Sequence, residues 1–94
     1  MTPEPVPHPF HEFLGQVVAL DTQGPLIYIG TLHQVTDAYL VLTEADVHDS
    51  NDSRATKDLY LVEARNLGVR MNRKKVLITL AQIASLSLLA DISD

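Results

Sequence analysis

The stretch GPLIYIGTLHQVTDAYLVL, residues 24–42, runs nineteen residues with a single formal charge, Asp37. It reads as two strands, LIYIGTLHQV (26–35) and AYLVLTEADV (38–47), separated only by Thr36-Asp37. Gly30 interrupts the first, and a glycine inside a strand marks a sharp bend or a close approach of another backbone. The whole chain has 94 residues, enough for one domain with an adequate core but not a generous one. A single sheet of that size has trouble covering so much apolar strand. Neighbouring copies of the chain are therefore expected to do part of the covering.

Three further strands fit the pattern. QVVALD (16–21) precedes the turn TQGP, and KVLITL (75–80) and IASLSLL (83–89) flank Ala81-Gln82. In the last of these Ile83, Ser85 and Ser87 alternate with Ala84, Leu86 and Leu88. HPFHEFLG predicts a short helix, with Pro9 in its first turn, Gly15 as its stop, and Phe10, Phe13 and Leu14 on one face. Between strands three and four, DLYLV suits either a helix or a strand. The fuller segment DSRATKDLYLVEARNLG favours a helix of about three turns, capped by Asp52 or Ser53 and ended by Gly68. Its apolar stripe, Leu59, Val62 and Ala64 to Leu67, suits either docking on a partner or covering its own barrel.

The expected architecture is mostly β: a short N-terminal helix on a strongly bent five-stranded antiparallel sheet, an open barrel, with a helical insert at about 48–70. Residues 1–9, with prolines at 3, 5, 7 and 9, form a flexible extension, and 10–94 form one domain. Strands as apolar as VLITL and IASLSLL make poor free edges. Pairing each with the next copy removes the liability, and a head-to-tail contact that closes gives a ring.

Charge is unevenly spread. The net charge is −5, yet Ala64 to Ala90 holds five basic residues and no acidic one. Four of the five lie in RMNRKK: Arg70, Arg73, Lys74 and Lys75. Repeated around a ring they present an annulus to phosphate, with steep salt dependence; otherwise they are a solvated loop on an acidic body. The chain lacks cysteine, which excludes disulfides, thiolate zinc sites and cysteine nucleophiles and suits a cytoplasmic protein. No apolar run reaches the length that crosses a bilayer, and the N-terminus has no signal-peptide pattern, so no membrane partner is expected. His8 with His11, and Asp46, His48, Asp49 and Asp52, lack a recognised metal-ligand spacing and read as polar surface turns. His33 with Ser85 or Ser87 offers no nucleophile at a strained turn, so neither an enzyme nor a cofactor is expected.

At these residues the chain resembles the Sm/LSm (Sm-like, Hfq-related) family. VVALDTQGPLIYIGTLHQVTDAYLVL resembles the first Sm motif, with Gly24 as the turn glycine, Gly30 and Leu32 at the bend, and Asp37 as the acidic turn. VRMNRKKVLITLAQIASLSLL resembles the second. The resemblance implies the bent five-stranded barrel, a homo-oligomeric ring paired through strands four and five, and single-stranded RNA as a partner. In the ungapped register Thr36 and Leu40 stand at the family's aspartate and base-contacting asparagine. Shifted by one, Asp37, Tyr39 and Val41 stand at the aspartate, the stacking aromatic and the asparagine. Arg70-Met71 takes the place of the Arg-Gly pair, or Arg73-Lys74 that of the bacterial basic pair. The implied RNA contacts are Asp37, Tyr39, Arg70, Asn72, Arg73, Lys74 and Lys75, with low selectivity because the asparagine is missing. Tyr39 suits stacking on a base or cross-strand packing. The competing expectation is a ring that serves as a protein scaffold through its acidic surface and inserted helix, without nucleic acid.

Overall fold

In the computed structural model, residues 9–51 and 56–93 are described; the N-terminal extension through His8, and the caps expected at Asp52 and Ser53, lie outside them. Five strands form one antiparallel sheet: β1 (Val17–Thr22), β2 (Leu26–Val35), β3 (Tyr39–Asp49), β4 (Arg73–Thr79) and β5 (Ile83–Leu88). Their spatial order is β4-β3-β2-β1-β5, so β4 and β5 are its two borders. One helix, α1 (Lys57–Leu67), stands between β3 and β4. The architecture is therefore the bent five-stranded sheet with a helical insert that the sequence predicts.

Strand periodicity sorts the side chains into two layers. Val18, Leu20, Leu32, Leu40, Leu42, Ala45 and Ile78 close the barrel interior, joined by the half-buried Phe10, Phe13, Leu86 and Leu88. Each fully buried Leu or Val here contributes roughly 1.5–3 kcal/mol relative to an exposed one. Ala19 and Ile29 point the other way and pack beneath Ala64 of α1 and Leu89. The bend that closes the barrel falls where β2 meets β3. Ile29 opposes Asp46 and Thr31 opposes Thr43, so Gly30 faces two residues of β3, and one of these, Glu44, takes φ of 50°. That is a β-bulge, a device that bends a strand and tightens its twist.

Several local expectations change. The N-terminal helix is a single stretch of 3-10 helix, Pro9–Phe13, and Leu14 is exposed rather than on its apolar face. Five residues give too few i→i−4 bonds to hold an α-helix, and the packing of Phe10 and Phe13 settles the geometry instead. In β5, Ile83 packs with Leu86 and Leu88 rather than opposite them, because the β1–β5 register shifts between Asp21 and Thr22. The cap of α1 is Thr56, whose Oγ1 accepts from the Leu59 N–H at 3.2 Å. Gly68 ends the helix with φ of 94°, a left-handed value that disfavours side chains, and its N–H reaches the Ala64 carbonyl at 2.9 Å. No helix among the described residues is long and apolar enough to cross a membrane.

Candidate nucleic-acid interface

The residues expected to meet RNA fall into two groups at opposite ends of β4. At one end the β2–β3 turn is built by Thr36. Its Oγ1 accepts from the N–H groups of Ala38 and Tyr39 at 3.2 and 3.1 Å and donates to the Tyr39 carbonyl. With Thr36 engaged in the turn, Asp37 points to solvent. Tyr39 starts β3, half-buried, opposite Thr79 at the end of β4. The β4–β5 connection, a 3-10 turn at Leu80–Gln82, closes over this end. The Leu80 N–H donates to the Ala38 carbonyl at 2.9 Å, and Gln23 donates from its backbone N–H to Gln82 and from its side chain to Ala81. The β2–β3 and β4–β5 turns thus meet beside Asp37 and Tyr39, and the β1–β2 turn bonds to the β4–β5 turn.

The basic group lies elsewhere. RMNRKK is not the loop the sequence suggested: Arg73, Lys74 and Lys75 open β4, with Arg73 opposite Ala45 and Lys75 opposite Thr43. Arg70 and Asn72 belong to the connection from α1. Lys75 is four residues from the Tyr39–Thr79 pair, about 13 Å along the strand, and Arg73 about 20 Å. Arg70-Met71, in the connection before β4, is thus remote from the β4–β5 turn formed by Leu80–Gln82. Asn72 is already engaged. Its Oδ1 accepts from the Val47 N–H at 3.0 Å, its Nδ2 donates to the Val47 carbonyl at 3.1 Å, and its backbone N–H reaches the Ala45 carbonyl at 2.9 Å. The side-chain amide thus extends the β3–β4 ladder by one step and fixes the register of the basic residues. Both residues that the motif registers place at the base-contacting asparagine, Leu40 and Val41, are core, at 0% and 2% exposure.

Sequence reasoning missed the α1–β3 seam. Asp46 and His48 alternate onto the outer face of β3, and α1 lies over them. Lys57, Tyr60 and Ala64, spaced i, i+3, i+7, form its docking stripe, a signal that was available in the sequence. Lys57 Nζ pairs with Asp21 at 2.5 Å and donates to the Gly24 carbonyl at 2.8 Å, pinning the helix to the β1–β2 turn. The pair is partly exposed, so its net contribution is under about 1 kcal/mol. Tyr60 donates to Asp46 Oδ2 at 2.5 Å, and its ring stacks on His48 with centroids 4.2 Å apart. The helix thus covers its own barrel, while Leu59 and Leu67 face outward.

Burial, and then the Asp46 carboxylate, push Tyr60 ionisation well above the ordinary tyrosine value. The unfolded chain releases this proton near pH 10 while the folded chain keeps it, so above pH 10 the unfolded state binds fewer protons and stability falls as pH rises; below pH 10 the contribution is complete. Alkaline titration should therefore show a late phenolate step that coincides with loss of helical dichroism. Tyr60→Phe should abolish that step, and its persistence in the variant would assign it to another group.

No family model matches the chain, and comparison with curated proteins found no match. Among solved structures, the chain is similar to that of an Sm protein from Pyrococcus abyssii in complex with a uridine heptamer. The TM-score is 0.57 at 15% identity, over 84% of this chain and 90% of that one. The fold is Sm-like.

Proposed function

We propose that copies of this chain assemble edge to edge into a homo-oligomeric ring that binds single-stranded RNA with low base selectivity and has no enzymatic role. The observation that carries the reading is an Sm-like fold whose β2–β3 and β4–β5 turns meet at Asp37 and Tyr39. The similar Pyrococcus protein was captured with a uridine oligomer. Support for assembly comes from the two apolar borders, β4 and β5, which have no second strand partner among the described residues. Tyr39 offers a ring for stacking, a contact indifferent to base identity. Low selectivity follows from Leu40 and Val41, which are buried and cannot hydrogen-bond a base edge. Attraction for phosphate comes from Arg70, Arg73, Lys74 and Lys75 at the far end of β4, all exposed, so RNA is held there by charge rather than by base contacts.

A second reading, a ring that binds protein rather than RNA, is favoured by one observation: Leu67, on α1, is 83% exposed and Leu59 is 49% exposed. One titration separates the two. Labelled single-stranded RNA is bound at two salt concentrations by the wild type and by Arg73→Glu/Lys74→Glu. RNA binding by the wild type should weaken with salt, and the log–log slope should shrink by at least ~0.7 for each cation lost in the variant. Low-salt binding no tighter than that of serum albumin would eliminate the RNA reading and leave the protein scaffold.

A further inference from the structure

Exposed apolar side chains gather on two sides of the sheet. Leu67, Met71 and Leu77 follow the chain from the end of α1 into the β4 border. Leu14 and Val17 stand at the start of β1, whose next residue, Val18, pairs with Leu88 at the end of the β5 border. On this second side lies a cavity of about 310 Å³, walled by Val17, Val69, Leu88 and Leu89. Its two polar lining residues are engaged with the chain itself. Gln16 Nε2 donates to the Glu12 carbonyl at 3.2 Å, and Arg65 donates to the Ile92 carbonyl and to Asn66, tying α1 to the C-terminal segment. Apolar walls without converging polar groups suit an alkyl side chain rather than a polar small molecule.

We infer that Met71 of one copy fills this cavity on the next, so that the inserted segment locks the ring; the inference rests on the edge-to-edge assembly proposed above. Every strand pair in the chain is antiparallel. An intermolecular pair that keeps this sense sets the end of β5 against the start of β4. Met71 stands two residues before Arg73, which opens β4, and so reaches past Leu88 to where the cavity lies. In the single chain it is 53% exposed. Its backbone is nonetheless fixed, because the neighbouring Asn72 bonds Ala45 through its N–H and Val47 through its side-chain amide. The knob is thus placed before any partner arrives, and little freedom is lost on contact. Charge agrees with the fit. Asp91, exposed at the rim beyond Ala90, is the first acidic residue after Glu63, and Arg70 arrives beside Met71 to meet it. A knob on one border and its socket on the other make a heterologous contact, the kind that closes into a ring.

The chain has no cysteine, so engineered thiols report without background. In Met71→Cys/Ala90→Cys, both at exposed positions, mild oxidation of the assembled protein should give a ladder of covalent multimers on a denaturing gel. Each single variant has one thiol per chain and should stop at a dimer. Met71→Asp should raise the concentration at which the assembly half-dissociates at least about tenfold, with unchanged circular dichroism. Met71→Leu, which keeps volume and apolarity, should assemble as the wild type does. A wild type that scatters as a multiple of the chain mass, with no ladder beyond the dimer in the double variant, would refute the lock and leave the strand-paired ring standing. Met71→Asp assembling at wild-type concentrations would do the same. A wild type that scatters as one chain would remove the ring and the lock together.

Discussion

Gly30→Val should be the most damaging single substitution outside the hydrophobic side chains, lowering the melting temperature by about 10–20 °C. A Cβ at position 30 would lie 3.0 Å from Ala45 Cβ, 3.1 Å from Ala45 Cα and 3.1 Å from the Thr43 carbonyl oxygen. Two of those three atoms are backbone and cannot rotate aside. Ala45 is itself fully buried, so the strand behind it cannot retreat without opening the barrel interior. Valine adds two methyl groups beyond that first clash. Overpacking of this kind costs about 2–3 kcal/mol, and in a domain of this length each kcal/mol moves the midpoint by roughly 4–8 °C. Gly24 is the control, since nothing lies within 4 Å of a Cβ built there. Thermal unfolding followed by circular dichroism decides the matter: a Gly30→Val midpoint no lower than that of Gly24→Ala would mean that the bulge tolerates side chains and the bend has another cause.

Gly30 also illustrates what could be read before any coordinates. An interior glycine in a strand has few physical explanations, and at Gly30 both apply: a bulge that bends the strand pair and a close approach of the β3 backbone. The boundaries of β2 follow equally directly, because turn residues flank an unbroken β-forming run on both sides. The end of α1 at Gly68 is legible for the same local reason. What could not be read was anything settled by pairing across the chain. Arg73 and Lys74 look like the end of a loop ahead of the strand at Lys75, since lysine is depleted in strands, but pairing of Arg73 with Ala45 and of Lys75 with Thr43 draws them into β4. That pairing carries the strand back by two residues and fixes the charge at its start, the end opposite the β4–β5 turn. The sequence points to Asn72 as a polar contact for a ligand, yet its amide is taken up by Val47, more than twenty positions away in sequence. The docking face of α1 does not follow from apolarity alone. Tyr60 and Lys57 hold the helix through polar ends that find Asp46 and Asp21 on the sheet, while the more apolar Leu67 is left outside. Charged and amphipathic side chains report their environment only after the topology is known.

Leu77→Glu should break the proposed ring into single chains of 10.4 kDa without unfolding them. Leu77 sits in the middle of β4, a border of the sheet, and is 55% exposed, whereas its neighbours Val76 and Ile78 turn inward to the core. In an isolated protomer the glutamate is therefore solvated, and a surface change of this kind stays within about 0.5 kcal/mol. Once a second copy pairs along β4, the same carboxylate loses much of its water and gains no cation to offset the loss. That penalty is several kcal/mol. At about 3 kcal/mol it weakens each contact roughly 100-fold, since 1.4 kcal/mol is a factor of ten. Because every protomer of a ring contributes one such border, the loss recurs at each contact and the closed assembly fails as a whole. Light scattering at micromolar concentration should give a multiple of the chain mass for the wild type and the single-chain mass for the variant, with matching circular dichroism. A wild type that scatters as one chain would show that these borders stay open to water, and the ring would have to be abandoned whatever the protein does with RNA.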